Sequence, residues 1–248
     1  MKALARSAVL AAALAIAACG GANSEPGSKA AADKPKAAQA AAKPVGLAGV
    51  KANDIVLGKA DAPVTVIEFA SPTCPHCAVF HETVFPEIKT RFIETGQVKY
   101  VFREFPTPPA EFAYIGGVLA RCAGEKSGPD GYMAVLTSLF RNQHPQDQTK
   151  SWIFGSDPKG ELLKIAAQAG MDATQFETCL KRQDLVELIN ANVKEGDEKY
   201  KITGTPSFVI NGKLTRLGSI DDFQKAVDAA RGVKPAAAPA AAEKPKTP

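Results

Sequence analysis

The tetrapeptide Cys74-Pro75-His76-Cys77 follows, three residues on, the run Pro63–Ala70 (PVTVIEFA), which is short, β-branched and apolar on both faces. Such a run suits a central strand buried on two sides. Beyond it, Cys74–Phe92 places Val79, Phe80, Val84, Phe85 and Ile88 at helical spacing, with Pro86 expected to kink the helix. The C-x-x-C motif therefore sits where a buried strand hands over to a helix, at the helix opening. Two cysteines so placed can close a small disulfide. The helix dipole and the unpaired backbone N–H groups of the first turn also favour a thiolate on Cys74. Pro75 suits the first helical position, and His76, if protonated, adds a second favourable charge.

Downstream, Val98–Phe105 alternates loosely and reads as a second strand. A long stretch without strand signal follows, with helices expected over Ala110–Ala123, Pro129–Arg141, Pro158–Ala169, Asp172–Lys181 and Gln183–Tyr200. Ser207–Ile210 and Lys213–Leu217 flank Asn211-Gly212, a pair that favours a type I′ hairpin turn. Asp221–Arg231 closes as a helix with Ser219 as its N-cap. The order β-α-β, helices, β-β-α describes an α/β sheet with a helical insertion at about 107–200.

The two ends differ from this core. Lys2 and Arg6 precede an apolar stretch, Ala8–Ala18, that is too short to span a bilayer and fits a signal peptide over residues 1–18. Ile16-Ala17-Ala18-Cys19-Gly20 resembles a bacterial lipobox, in which Cys19 becomes the lipidated first residue of the mature chain and anchors it. The other reading is ordinary cleavage, leaving Cys19 a plain thiol. Residues 19–49 and 233–248 are dominated by Ala, Lys, Pro, Gly and Ser and read as a disordered tether and tail, leaving 50–232 as the folded domain. Of 30 basic and 26 acidic side chains, that domain carries 21 and 23. Its slight negative charge argues against nucleic acid as a partner.

VIEFASPTCPHC (66–77), the helical insertion and TGTPSFVINGK (203–213) together resemble the thioredoxin fold, and within it the DsbA-like thiol oxidases of the bacterial envelope. The resemblance covers most of 54–230. It implies a periplasmic, monomeric enzyme without an organic cofactor that introduces disulfides into exported cysteine-containing proteins through Cys74 and Cys77. A membrane partner of the DsbB type would reoxidise it. It implies that Pro206 is the cis-proline facing the redox cysteines, with Thr205 presenting backbone groups to a substrate strand. It also implies that Glu68, on the same alternating face as Val64 and Val66, is a buried acid able to exchange a proton with Cys77. The alternative for Glu68 is a solvated residue on an edge strand.

Two cysteines remain, Cys122 and Cys179. If the C-x-x-C cycles, a structural disulfide between them is the one pairing that leaves it free, and two separate buried thiols is the alternative. A zinc site built from Cys74, Cys77 and His81 competes with the redox reading, but the chain has no second C-x-x-C or His-x-x-x-His to complete four ligands. Otherwise His81 and His144 read as surface residues. The competing functions are a disulfide isomerase or reductase and a metal-binding lipoprotein. Relatives with isomerase activity resemble oligomers joined by an N-terminal association domain, whereas 20–49 here is low-complexity without heptads.

Overall fold

The computed structural model describes residues 49–233. The expected signal segment, Cys19, nearly all of the tether and the tail after Val233 lie outside the described residues. Within them, strands β1 (Ile55–Leu57), β2 (Val64–Ala70), β3 (Val98–Glu104), β4 (Ser207–Ile210) and β5 (Lys213–Thr215) form one mixed sheet in the order β1-β3-β2-β4-β5. The helices are α1 (Pro75–Thr83), α2 (Phe85–Ile88), α3 (Ala110–Arg141), α4 (Pro158–Gln168), α5 (Ala173–Cys179), α6 (Gln183–Glu195) and α7 (Ile220–Ala230). The chain thus runs β-α-β, then helices α3–α6, then β-β-α. This is the thioredoxin fold with a helical insertion between its halves.

β2 is the central strand and all seven of its residues are buried, as its apolar run on both faces requires. It pairs in parallel with β3 (Glu68 opposite Phe102) and antiparallel with β4 (Glu68 opposite Phe208). Val64, Val66 and Phe208 pack with Phe80, Phe85, Phe223 and Val227 of α1, α2 and α7. On the other face Ile67, Phe69, Val101 and Val209 pack with Tyr200 and Ile202. Glu68 belongs to the α1 side, so the helix carrying the C-x-x-C lies over it.

β3 is also buried throughout, so its loose alternation does not mark a solvent face. Its charged residues are all partnered: Arg103 pairs with Asp54 and Glu195, Glu104 with Arg121, and Lys99 donates to the Ala60 carbonyl. The short edge strand β1, without a clear signal in the sequence, pairs antiparallel with β3. Pro86 interrupts the first helix, which ends at Thr83 and resumes at Phe85. Val79, counted on its apolar stripe, is 58% exposed.

α3 combines the two helices expected over 110–141. Ser127 and Gly128 break its backbone, and Gly128 has φ 67° and ψ −162°, which a side chain would not tolerate. Pro129 then opens the second segment. Asn211 and Gly212 both have positive φ, the requirement of a type I′ turn, although β5 stops at Thr215. The Ser219 hydroxyl accepts the N–H of Asp222, capping α7.

Candidate active site

The loop from β2 into α1 is fixed by short hydroxyl contacts before the first cysteine is reached. Ser71 Oγ lies 2.9 Å from Thr73 Oγ1 and accepts the Thr107 N–H at 3.1 Å, and Thr73 Oγ1 donates to the Thr107 carbonyl at 3.0 Å. From α3's end, Gln143 Nε2 donates to the Pro72 and Cys74 carbonyls at 2.8 and 3.2 Å. These bonds set Cys74 as the N-cap of α1, with Pro75 opening the helix.

As N-cap, Cys74 accepts the Cys77 backbone N–H on its sulfur at 3.3 Å. Both cysteines are free thiols here, Cys74 6% exposed and Cys77 fully buried. The Cys74 pKa falls to about 6, chiefly because the Cys77 thiol donates to its sulfur. Burial opposes this, and the Thr205 side chain and the backbone N–H groups of Cys77 and His76 assist it. Cys77 is pushed the other way. Burial raises its pKa first, and the neighbouring Cys74 and Glu68 raise it further. One sulfur ionises easily and the other resists, three residues apart.

His76 and Pro75 are exposed at the helix tip, and His76 touches the reaction through its backbone N–H. Across the site, the Thr205–Pro206 bond is cis and the Thr205 carbonyl accepts the Cys74 thiol at 3.3 Å. The Thr205 hydroxyl is buried with no hydrogen-bond partner among the described residues, while its position favours the Cys74 thiolate.

Glu68 is wholly buried. Its Oε2 accepts the Tyr100 hydroxyl at 2.7 Å and lies 2.9 Å from His81 Nε2. His81 is therefore not a surface residue. It is 8% exposed, its ring 4.5 Å from that of Phe85 and 4.8 Å from that of Phe140. The signal for this was present: His81 is four residues after Cys77, which puts both on one face of α1. Tyr100 was also missed. It stands opposite Val66, diagonal to Glu68 on the same sheet face. His144 is half-buried in the turn after α3.

Cys122 of α3 and Cys179 of α5 are joined by a disulfide, well away in the sequence from the C-x-x-C. Among the described residues no group of three or more His, Cys, Asp or Glu is arranged to hold a metal, and no helix is long and apolar enough to cross a membrane.

The family model described as Thioredoxin matches residues 51–229. A Rickettsia prowazekii relative bearing the name protein-disulfide oxidoreductase is 36% identical over 180 residues, covering 72% of this chain and 61% of its own length. The chain thus spans about three-fifths of that relative. Disulfide bond formation protein D of Bacillus subtilis is 31% identical over 179 residues, covering 70% of this chain and 75% of that protein. The crystal structure of Wolbachia pipientis alpha-DsbA1 superposes with a TM-score of 0.61 at 26% identity, covering 77% of this chain and 96% of that one. The chain belongs to the thioredoxin family and is similar to its DsbA-like members.

Proposed function

We propose that the protein is an envelope thiol oxidase that introduces disulfides into exported proteins by exchange through Cys74 and Cys77. In the oxidised enzyme, a substrate thiolate attacks the Cys74 sulfur. The Cys74–Cys77 bond breaks, a mixed disulfide forms, and Cys77 leaves, taking a proton through Glu68. A second substrate thiolate then attacks the substrate sulfur of the mixed disulfide and releases Cys74 as a thiolate. Two electrons pass from the substrate dithiol to the cysteine pair. A membrane partner of the DsbB type removes them again. The backbone beside Thr205 and Pro206 receives the substrate strand next to the reacting sulfur.

One observation carries this reading: Cys74 caps α1 with its sulfur on the Cys77 backbone N–H, an arrangement that lowers its pKa to about 6, while buried Cys77 is pushed upward. Stabilising the reduced form makes the disulfide the stronger oxidant, and a low-pKa thiol leaves faster. Against metal binding, His81 Nε2 faces Glu68 and is not turned toward the cysteines as a third ligand. Equilibration with glutathione tests the oxidase assignment. A reduction potential well above the about −270 mV of a thioredoxin supports it, and a value at or below that supports a reductase.

Export and anchoring complete the proposal. Cys19 would carry the lipid, with residues 20–49 as tether to a monomeric catalytic domain. Cys19→Ser should then release the protein from the membrane fraction or block its processing. Normal maturation with continued membrane association would contradict the anchor.

A further inference from the structure

Two side chains of the Glu68 cluster have no part in the exchange chemistry above: Tyr100, which only donates to Glu68, and His81. The imidazole is the one whose position demands a reason. Nε2 lies 3.1 and 2.9 Å from the two Glu68 oxygens. Nδ1 is buried and has no hydrogen-bond partner among the described residues. A polar atom buried without a partner is costly, so an aromatic hydrocarbon would fill the space at Nδ1 better if the ring only packed there. His81 also lines a cleft of about 140 Å³ between α1, α2 and the end of α3, with Ala78, Glu82, Pro86, Thr137, Phe140 and Arg141. That volume has room for water, and Glu82, Thr137 and Arg141 supply polar groups around it. Glu68 itself is sealed from solvent, so a proton arriving there from Cys77 has no exit of its own.

We propose that His81 is the proton outlet of the active site, passing protons between Glu68 and the cleft so that buried Cys77 can exchange its proton with solvent. The proposal rests on the role given above to Glu68. In the direction that closes the enzyme disulfide, Cys77 gives its proton to Glu68 and its thiolate attacks Cys74 Sγ. The bond from Cys74 to the outer thiol breaks, and that thiol leaves as a thiolate. Glu68 then passes the proton to His81 Nε2, and Nδ1 releases one to water in the cleft, which restores the ring as its other tautomer until it reorients. No electrons move beyond the thiol–disulfide exchange. The reverse sequence protonates Cys77 as it leaves during substrate oxidation.

The groups facing the ring are consistent with this path. β2 contributes Glu68, with Tyr100 of β3 behind it on the same carboxylate; α3 contributes Phe140 and the Arg141 side of the cleft, α1 Glu82, and α2 Phe85 and Pro86. His81 touches no reacting sulfur and is a positioning residue for the proton.

Stopped-flow reaction of the reduced full chain with an aromatic disulfide that releases a coloured thiolate separates the steps. The first burst reports attack by Cys74 and the second reports closure by Cys77. His81→Phe, which keeps an aromatic ring among Phe85 and Phe140, should slow the second phase about tenfold or more and leave the first unchanged, since general acid–base catalysis is commonly worth about 10²–10⁴. The slowed phase should rise with pH where the wild-type phase levels off. His81→Ala should behave alike and recover when imidazole is added. A wild-type second phase and pH profile in both His81 variants overturns the proposal. So does equal slowing of both phases without imidazole rescue. Glu68→Gln separates the premises: if it slows closure while the His81 variants do not, the Glu68 role stands and the His81 outlet falls; if none slows closure, both fall.

Discussion

Each cysteine pair of this protein has one member at a helix end, and the two ends are opposite. Cys74 caps the N-terminus of α1, where backbone N–H groups converge on its sulfur, and Cys77 is buried one turn behind. Cys179 is the last residue of α5, where carbonyl groups accumulate, and Cys122 lies inside α3. A helix N-terminus favours an anion and a C-terminus disfavours one. The first pair can therefore be reduced to a stabilised thiolate. The second gains nothing of that kind from opening. Under the proposed function the same bond is a reagent in one setting and a staple in the other, and the difference lies in the direction of the helix dipole.

Removing each pair should separate these roles with the largest effect of any substitution. Cys74→Ser should abolish disulfide transfer to a reduced substrate protein, and Cys77→Ser should trap the mixed disulfide. Cys122→Ser with Cys179→Ser should leave transfer near wild type but lower stability to denaturant by up to about 4 kcal/mol, the chain-entropy expectation for the separation of 57 residues. Loss of transfer in the Cys122/Cys179 variant, with the fold intact, would break the distinction.

A second, smaller effect follows from linkage. The Cys74 pKa is about 6 in the fold against 9.0 for the free thiol, so between pH 6 and 9 the unfolded chain holds a proton that the folded chain lacks. Folding stability of the reduced protein should rise with pH across that window and be lost as pH falls through about 6. With allowance for solvent screening of the sulfur the gain is on the order of 2 kcal/mol. Above 9 the trend should reverse, because Cys77 keeps its proton in the fold. Urea midpoints of the reduced and oxidised forms at matched pH check this, since oxidised protein has no titrating thiol at the site. The staple, closed in both forms, should contribute no slope.

The comparison also shows what the sequence reveals. The strand–C-x-x-C–helix order and the Asn-Gly hairpin are local patterns, and β2, α1 and β4–β5 can be read from them. Glu68 stood out as a lone carboxyl in an apolar run, and the family resemblance, not the run itself, marked it as a buried acid. His81 carried one signal, its place four residues after Cys77, but the Glu82 and Thr83 that follow it look like the exposed side of a helix until α3 closes over it. Arg103 and Arg121 escaped for a related reason: nothing in β3 or α3 shows that their partners, Asp54 and Glu104, are brought against them. Short β1 needs β3 beside it before its three residues have a reason to extend.

A modest change at the rim of the first pair sharpens the account further. Thr205→Val keeps the shape but removes the hydroxyl that favours the Cys74 thiolate, and should raise the Cys74 pKa by about one unit or less. The same titration on the unaltered protein is the most direct test of the central claim, that one environment divides two neighbouring thiols. Thiolate absorbance of the reduced protein against pH should show one sulfur ionising near pH 6 and no second ionisation at the site until well above 9. It should vanish in Cys74→Ser and be indifferent to Cys122 and Cys179. Two thiols ionising together between about 8.5 and 9 would contradict the account.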